Sequence, residues 1–98
     1  MNKLYVICYD FPSDKAGDKR RNKVIKILGG HGERVQYSVF EVRFKKPEEL
    51  EILVKRVKIQ MDEKEDSLRI YPISGASEKD TIILGKGELF HREEDYFF

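Results

Sequence analysis

Leu4-Tyr5-Val6-Ile7-Cys8-Tyr9-Asp10 is the stretch that commits this chain to a sheet. Six consecutive apolar or aromatic residues run into a carboxylate, and Phe11-Pro12-Ser13-Asp14 then turns the chain. Strand side chains alternate, so Leu4, Val6, Cys8 and Asp10 share one face while Tyr5, Ile7 and Tyr9 share the other. Both sets are apolar as far as Asp10, so both faces of the strand call for a cover. The acid stands where the covered strand ends, the place where open α/β sheets collect their chemistry. Asp10 is the first candidate for a functional residue.

Downstream, Ser13 or Asp14 can cap a helix running from about Lys15 to Leu28. Its apolar stripe is Ala16, Val24, Ile27 and Leu28, and Gly29-Gly30 ends it. Gly17 weakens the first turn and predicts a loose end around the loop after Asp10. Residues Arg34–Phe44 then read as one long strand, with Phe40, Val42 and Phe44 on one face and Tyr37 and Val39 on the other. Pro47 opens a second helix, whose stripe is Leu50, Leu53, Val54, Val57 and Met61 and whose end is expected near Glu63–Glu65.

A third strand covers Leu68–Ile73, with Pro72 marking an edge or a strand end. Residues Ser74–Asp80 read as loop and Thr81–Gly85 as a short further strand. The tail, 86–98, closes on Asp95-Tyr96-Phe97-Phe98, which predicts that it docks. Together these give a single domain over 1–98, an α+β sandwich of ferredoxin-like βαββαβ order: an antiparallel sheet with two helices on one face. Two helices cover one face only. The other face is apolar too, so the chain is expected to form a symmetric homodimer through the open faces of its sheets.

Composition bounds the function classes. Ninety-eight residues, 38% charged and 40% hydrophobic, describe a folded domain rather than a disordered chain. No apolar run approaches about 18 residues, and Asp10 interrupts any secretory signal, so no membrane contact and a cytoplasmic location are expected. Cys8, the single cysteine, reads as a small buried hydrophobe. The net charge of +1 hides a division. Residues 1–46 carry 11 Lys/Arg against 5 Asp/Glu, whereas residues 47–98 carry 8 against 13. The basic half points to a polyanion partner.

Asp10 alone is weak evidence, since an acid can end a strand without any function. A two-fold axis near the strand end changes that, because two facing carboxylates repel and invite Mg²⁺ or Mn²⁺. Such an ion can activate water and stabilise a phosphoryl transition state. Lys19, Arg20, Arg21, Lys23 and Lys26 could form only the solvated face of their helix. Little acid interrupts them, however, and Arg34, Arg43, Lys45 and Lys46 add to the positive charge, so phosphate-backbone binding is the preferred reading. A dimer neutralising ~6 phosphates should show a log-affinity slope of about −5 against log salt on duplex DNA. Tyr37-Ser38-Val39-Phe40 lacks the basic-Gly-aromatic signature of sheet-stacking RNA binders. His31 and His91 have no partners at zinc-ligand spacing, Gly29-Gly30-His31-Gly32 follows a helix instead of opening one, and Ser38 lacks a His/Asp pair.

The strand ending Tyr9-Asp10, the basic first helix and Val35-Gln36-Tyr37-Ser38-Val39-Phe40-Glu41 together resemble one family over roughly residues 3–85. It is the small CRISPR-associated protein that serves as second universal subunit of the spacer-acquisition machinery. The resemblance implies a ferredoxin-like homodimer whose tail strand, with Glu88–Phe90 as candidates, extends the partner's sheet. It implies a metal-dependent endonuclease acting on single-stranded RNA or duplex DNA, and a dimeric bridge holding duplex DNA for the CRISPR integrase subunit. The family's metal-binding acid falls on Asp10. Positions implicated in nucleic-acid contact or site shape fall on Tyr9, Arg20, Arg21, Arg34 and Phe40, and Ser38 matches the motif serine. The alternative is a DNA-binding structural adaptor in which Asp10 is not catalytic, since one carboxylate per protomer is a thin catalytic kit. A small-molecule-sensing module is the third reading, disfavoured by the basic helix and the lack of a polar pocket.

Overall fold

The computed structural model describes residues 3–85. The order is β1 (Lys3–Asp10), α1 (Lys15–Gly29), β2 (Gly32–Gln36), β3 (Val39–Phe44), α2 (Pro47–Gln60), β4 (Ser67–Ile73) and α3 (Gly75–Lys79). The strands form one antiparallel sheet ordered β2-β3-β1-β4, the ferredoxin-like arrangement. β1 lies inside it, with Ile7 opposite both Phe40 of β3 and Ile70 of β4. The apolar stretch that opens the chain is thus the strand flanked on both sides.

The long strand expected over Arg34–Phe44 is two strands. Tyr37 and Ser38 turn the chain between Gln36 and Val39, which pair, and Ser38 takes a left-handed φ of 71°. That conformation is uncommon for a residue with a Cβ, and alternation of apolar residues gives no sign of it. The register also slips between Arg34 and Gln36, a bulge that ends simple alternation in β2.

Tyr5, Ile7 and Tyr9 of β1 share the helix-covered face with Phe40, Val42 and Phe44 of β3 and Leu68 and Ile70 of β4. From α1 come Val24 and Leu28, and from α2 Leu53 and Val57, all essentially buried. Each such side chain contributes about 1.5–3 kcal/mol by leaving water. Ala16, expected in the α1 stripe, is exposed, and the adjacent Gly17 is buried in its place. Asp14 caps α1 by accepting from the Gly17 amide at 2.7 Å. Pro47 opens α2, and the Glu49 side chain accepts from the Lys46 amide at 2.9 Å. That helix stops at Gln60, short of the expected Glu63–Glu65, because Asp62 and Asp66 gather the following amides into a turn.

The opposite face carries Leu4, Val6, Cys8 and Asp10 of β1, Val39, Glu41 and Arg43 of β3, and Arg69, Tyr71 and Ile73 of β4. Where the sequence predicted loop, α3 forms and packs against β1 on this side. The Glu78 carboxylate accepts from the Arg43 guanidinium, both side chains nearly buried, and Leu4 is buried as well. Among the described residues the cover stops there. Val6 and Val39 remain half-buried, Cys8 is free and half-buried rather than buried, and Tyr71 is exposed. Thr81–Gly85 carries no strand, and Ile82 and Leu84 are exposed. The tail 86–98, with Glu88–Phe90, His91 and the closing aromatics, lies outside the described residues. Among those described, no helix is long and apolar enough to cross a membrane.

Candidate functional site

Tyr9 and Asp10 are neighbours in sequence and part company in space, because β1 alternates. Asp10 ends the strand exposed on the open face, opposite Ser67 of β4. Tyr9 turns to the helix side, where it is 6% exposed. Its ring packs on Phe11 and Phe40 at centroid distances of 5.9 and 6.2 Å. Its amide donates to the Ser38 carbonyl at 3.1 Å, which brings the β2–β3 turn beside the end of β1.

The Tyr9 hydroxyl meets the Ser38 backbone and feels the charges of Arg34 and Arg21. Burial pushes the phenol above its ordinary value, and the two arginines and the Ser38 hydrogen bond offset only part of that rise. Tyr9 is therefore a neutral hydroxyl near neutral pH. Arg34 lies opposite Phe40 in register, on the outer strand β2, and its guanidinium sits 5.4 Å from the centre of the Tyr37 ring. Arg21, in the second turn of α1, bonds Asp18 Oδ1 at 2.9 Å and stays partly exposed.

The structure thus gathers Tyr9, Arg21, Arg34, Ser38 and Phe40 at one end of the sheet on the helix side. Lys19 is exposed on α1. Arg20 is turned elsewhere: Nε and Nη2 donate to Asp66 Oδ2 and Oδ1 at 2.8 and 2.9 Å. The Asp66 side chain is fully buried, and Oδ2 also accepts from the Asp62 amide at 2.8 Å. The Arg20 guanidinium beside Asp66 holds its carboxyl below the usual range, and the same bond raises Arg20. In this structure Arg20 ties α1 to the α2–β4 turn. Sequence reasoning missed two residues here, Asp66 and Tyr37. Nothing in the spacing pairs 20 with 66, whereas Tyr37 stood inside the quoted motif and was read as a strand residue.

Among the described residues no three His, Cys, Asp or Glu side chains gather to hold a metal ion. Asp10 of one copy is a single carboxylate donor and does not by itself make a divalent-cation site.

Comparison with known proteins agrees with this geometry. Residues 2–81 match the family described as CRISPR associated protein Cas2. A Synechocystis protein named CRISPR-associated endoribonuclease Cas2 3 is 45% identical over 86 residues, 88% of each chain. The crystal structure of Streptococcus pyogenes Cas2 superposes with a TM-score of 0.74 at 34% identity, covering 84% of this chain and 99% of that one. A chain of a partial Cas6-RT-Cas1--Cas2 complex matches with a TM-score of 0.71 at 32% identity, covering 84% of each. The match runs from the Asp10 strand through β4 and α3, so sequence and architecture agree that this chain belongs to the CRISPR-associated Cas2 family.

Proposed function

We propose that this chain acts in CRISPR spacer acquisition as a homodimer that binds nucleic acid and hydrolyses phosphodiester bonds with Mg²⁺ or Mn²⁺ between two copies of Asp10. One observation carries the reading: Asp10 is exposed at the end of the open sheet face that α3 leaves uncovered. A second copy packed on Val6, Cys8, Val39 and Tyr71 removes that apolar surface from water. With the two-fold axis near the strand end, such packing brings a second Asp10 carboxylate to the first.

The paired carboxylates fit a hard divalent ion that keeps most of its ligands as water. When bound, the ion supplies an activated water and charge stabilisation at the phosphoryl group. Arg21 and Arg34 hold the phosphate backbone on the neighbouring rim. Tyr9, neutral and packed in the core, holds the β2–β3 turn that follows Arg34 by its backbone bond to Ser38.

A bridging role without cleavage is the second reading, favoured by the lone carboxylate that each copy brings. A structural relative in a complex with Cas1 supports a partnership with the integrase subunit. The test compares wild type with Asp10→Asn on single-stranded RNA and duplex DNA, with Mg²⁺ and with chelator. Metal- and Asp10-dependent cleavage, with binding retained in the variant, is the expected result. Tight duplex binding with no Asp10-dependent cleavage would overturn the nuclease and leave the bridge.

A further inference from the structure

Tyr37 has no part in the core and none in the paired-carboxylate chemistry. The residue is 74% exposed at the tip of the β2–β3 hairpin. Arg34 places its guanidinium against this ring, 5.4 Å from the centroid, which restrains the side chain before any ligand arrives. High exposure leaves the rest of the ring to solvent. The turn beneath is held by the Ser38 carbonyl on the Tyr9 amide and by the left-handed Ser38 backbone, so the ring stands on a fixed base beside the end of β1. Arg34 lies opposite Phe40 in register, on the strand that leads into this turn, so its cation is fixed beside the ring.

A flat ring with a guanidinium group fixed beside it fits a nucleotide: a base stacks on the ring and its phosphate meets the cation. Only an unpaired base can offer its face in this way, because in a duplex both faces are already stacked. We propose that Tyr37, backed by Arg34, is a stacking platform for one unpaired nucleotide, in RNA or DNA. It gives this protein a preference for single-stranded or frayed ends that the phosphate contacts alone cannot supply. The proposal rests on the nucleic-acid-binding reading above and adds the residue that distinguishes strandedness.

The test uses the full chain and oligomers of one sequence, made as single-stranded RNA, single-stranded DNA and duplex DNA, each carrying 2-aminopurine as reporter. Wild type and Tyr37→Phe should quench the single-stranded reporters alike. Tyr37→Ala should weaken single-strand binding by roughly 5- to 150-fold, the usual worth of a base–aromatic stack, with duplex affinity unchanged. Comparing the two single strands tells which sugar the platform accepts. Equal losses on single strands and duplex would mean that Tyr37 only braces Arg34 and the turn, and would overturn the proposal, as would no loss on either. Failure of wild type to bind any oligomer would instead sink the nucleic-acid reading itself. Circular dichroism of Tyr37→Ala checks the fold, and an exposed ring at a hairpin tip can be lost without touching the core.

Discussion

Replacing Gly17 by alanine sets two effects against each other in one turn of α1. Alanine is the better helix former, by up to about 1 kcal/mol in a helix interior. In the structure, however, a Cβ at Gly17 would lie 2.1 Å from the Pro12 carbonyl oxygen, 3.0 Å from its carbon and 3.1 Å from Asp14 Oδ1. Ordinary heavy-atom contact is about 3.5 Å, so the backbone at Pro12 must move by more than an ångström. A backbone carbonyl cannot swing aside as a long side chain can. Overpacking of this kind costs typically about 1–3 kcal/mol, more than propensity returns, so the net expectation is a loss of about 1–2 kcal/mol.

The same substitution at Gly29, in the last turn of the same helix, meets no heavy atom within 4 Å. There alanine should be neutral or stabilising by a few tenths of a kcal/mol, since only propensity and unfolded-chain entropy act. Urea unfolding of the three proteins reads both signs. For a domain of this size a loss of 1 kcal/mol lowers the melting temperature by about 4–8 °C. Because Pro12 follows Asp10 by two residues, Gly17→Ala should also reduce Asp10-dependent activity under conditions where the protein is fully folded. A Gly17→Ala variant as stable as Gly29→Ala would refute the claim that close packing, rather than loose helix geometry, explains the glycine.

Asp66→Asn removes the charge that the Arg20 guanidinium and the Asp62 amide share, and should cost about 2 kcal/mol at neutral pH, the usual worth of hydrogen bonds to a charged group. The Asp66 carboxyl is depressed on folding, so its contribution is complete above the ordinary carboxylate range and is lost as pH falls through its lower folded value; wild type and variant should therefore converge in acid and not in base, read by denaturation at several pH values. Val39→Glu places a charge on the half-buried open face opposite Cys8, away from the helix-covered core, and on the proposed packing sedimentation should find wild type dimeric and the variant monomeric. A Val39→Glu dimer as tight as wild type would rule out packing through this face.

Strands β1 and β4, both long helices and the sidedness of β1 were legible because each rests on a periodic apolar pattern that the core then used. Val24 and Leu28, or Leu53 and Val57, are core residues for the reason the spacing gave. What escaped was non-periodic. The hairpin at Tyr37-Ser38 depends on one residue entering the left-handed region, and Ser38 is not a residue type that announces it. Gly17 looked like a helix defect because propensity reports a residue's own backbone, whereas its role lies in its distance from Pro12, a tertiary quantity. Gly32 is similar: it begins β2, where a Cβ would fall 2.1 Å from the Glu41 carbonyl oxygen. α3 escaped because five residues carry too little pattern to separate a helix from a loop, and its Glu78–Arg43 pair joins residues 35 apart in sequence.

The candidate site divides along the same line. Asp10 could be chosen from sequence because a strand end is a local property, but what stands around it could not. Alternation in β1 sends Tyr9 to the core and Asp10 to the open face, so the pair cannot work as two groups on one surface. Tyr9, buried and neutral, holds the hairpin turn against the strand end and thereby positions Arg34 and Tyr37 on the helix-side rim. Asp10 looks the other way, toward the surface left for a second copy. A nucleic acid that touches both must pass over the end of the sheet, where the turn and the strand terminus meet. On the function proposed above, contacts on the rim would fix where the chain lies, and the open face would decide whether a second carboxylate is present to act on it. Monomers produced by Val39→Glu should accordingly retain rim-dependent binding of a single-stranded nucleotide while losing metal-dependent cleavage. Cleavage persisting in a verified monomer would show that the chemistry does not need the paired acid.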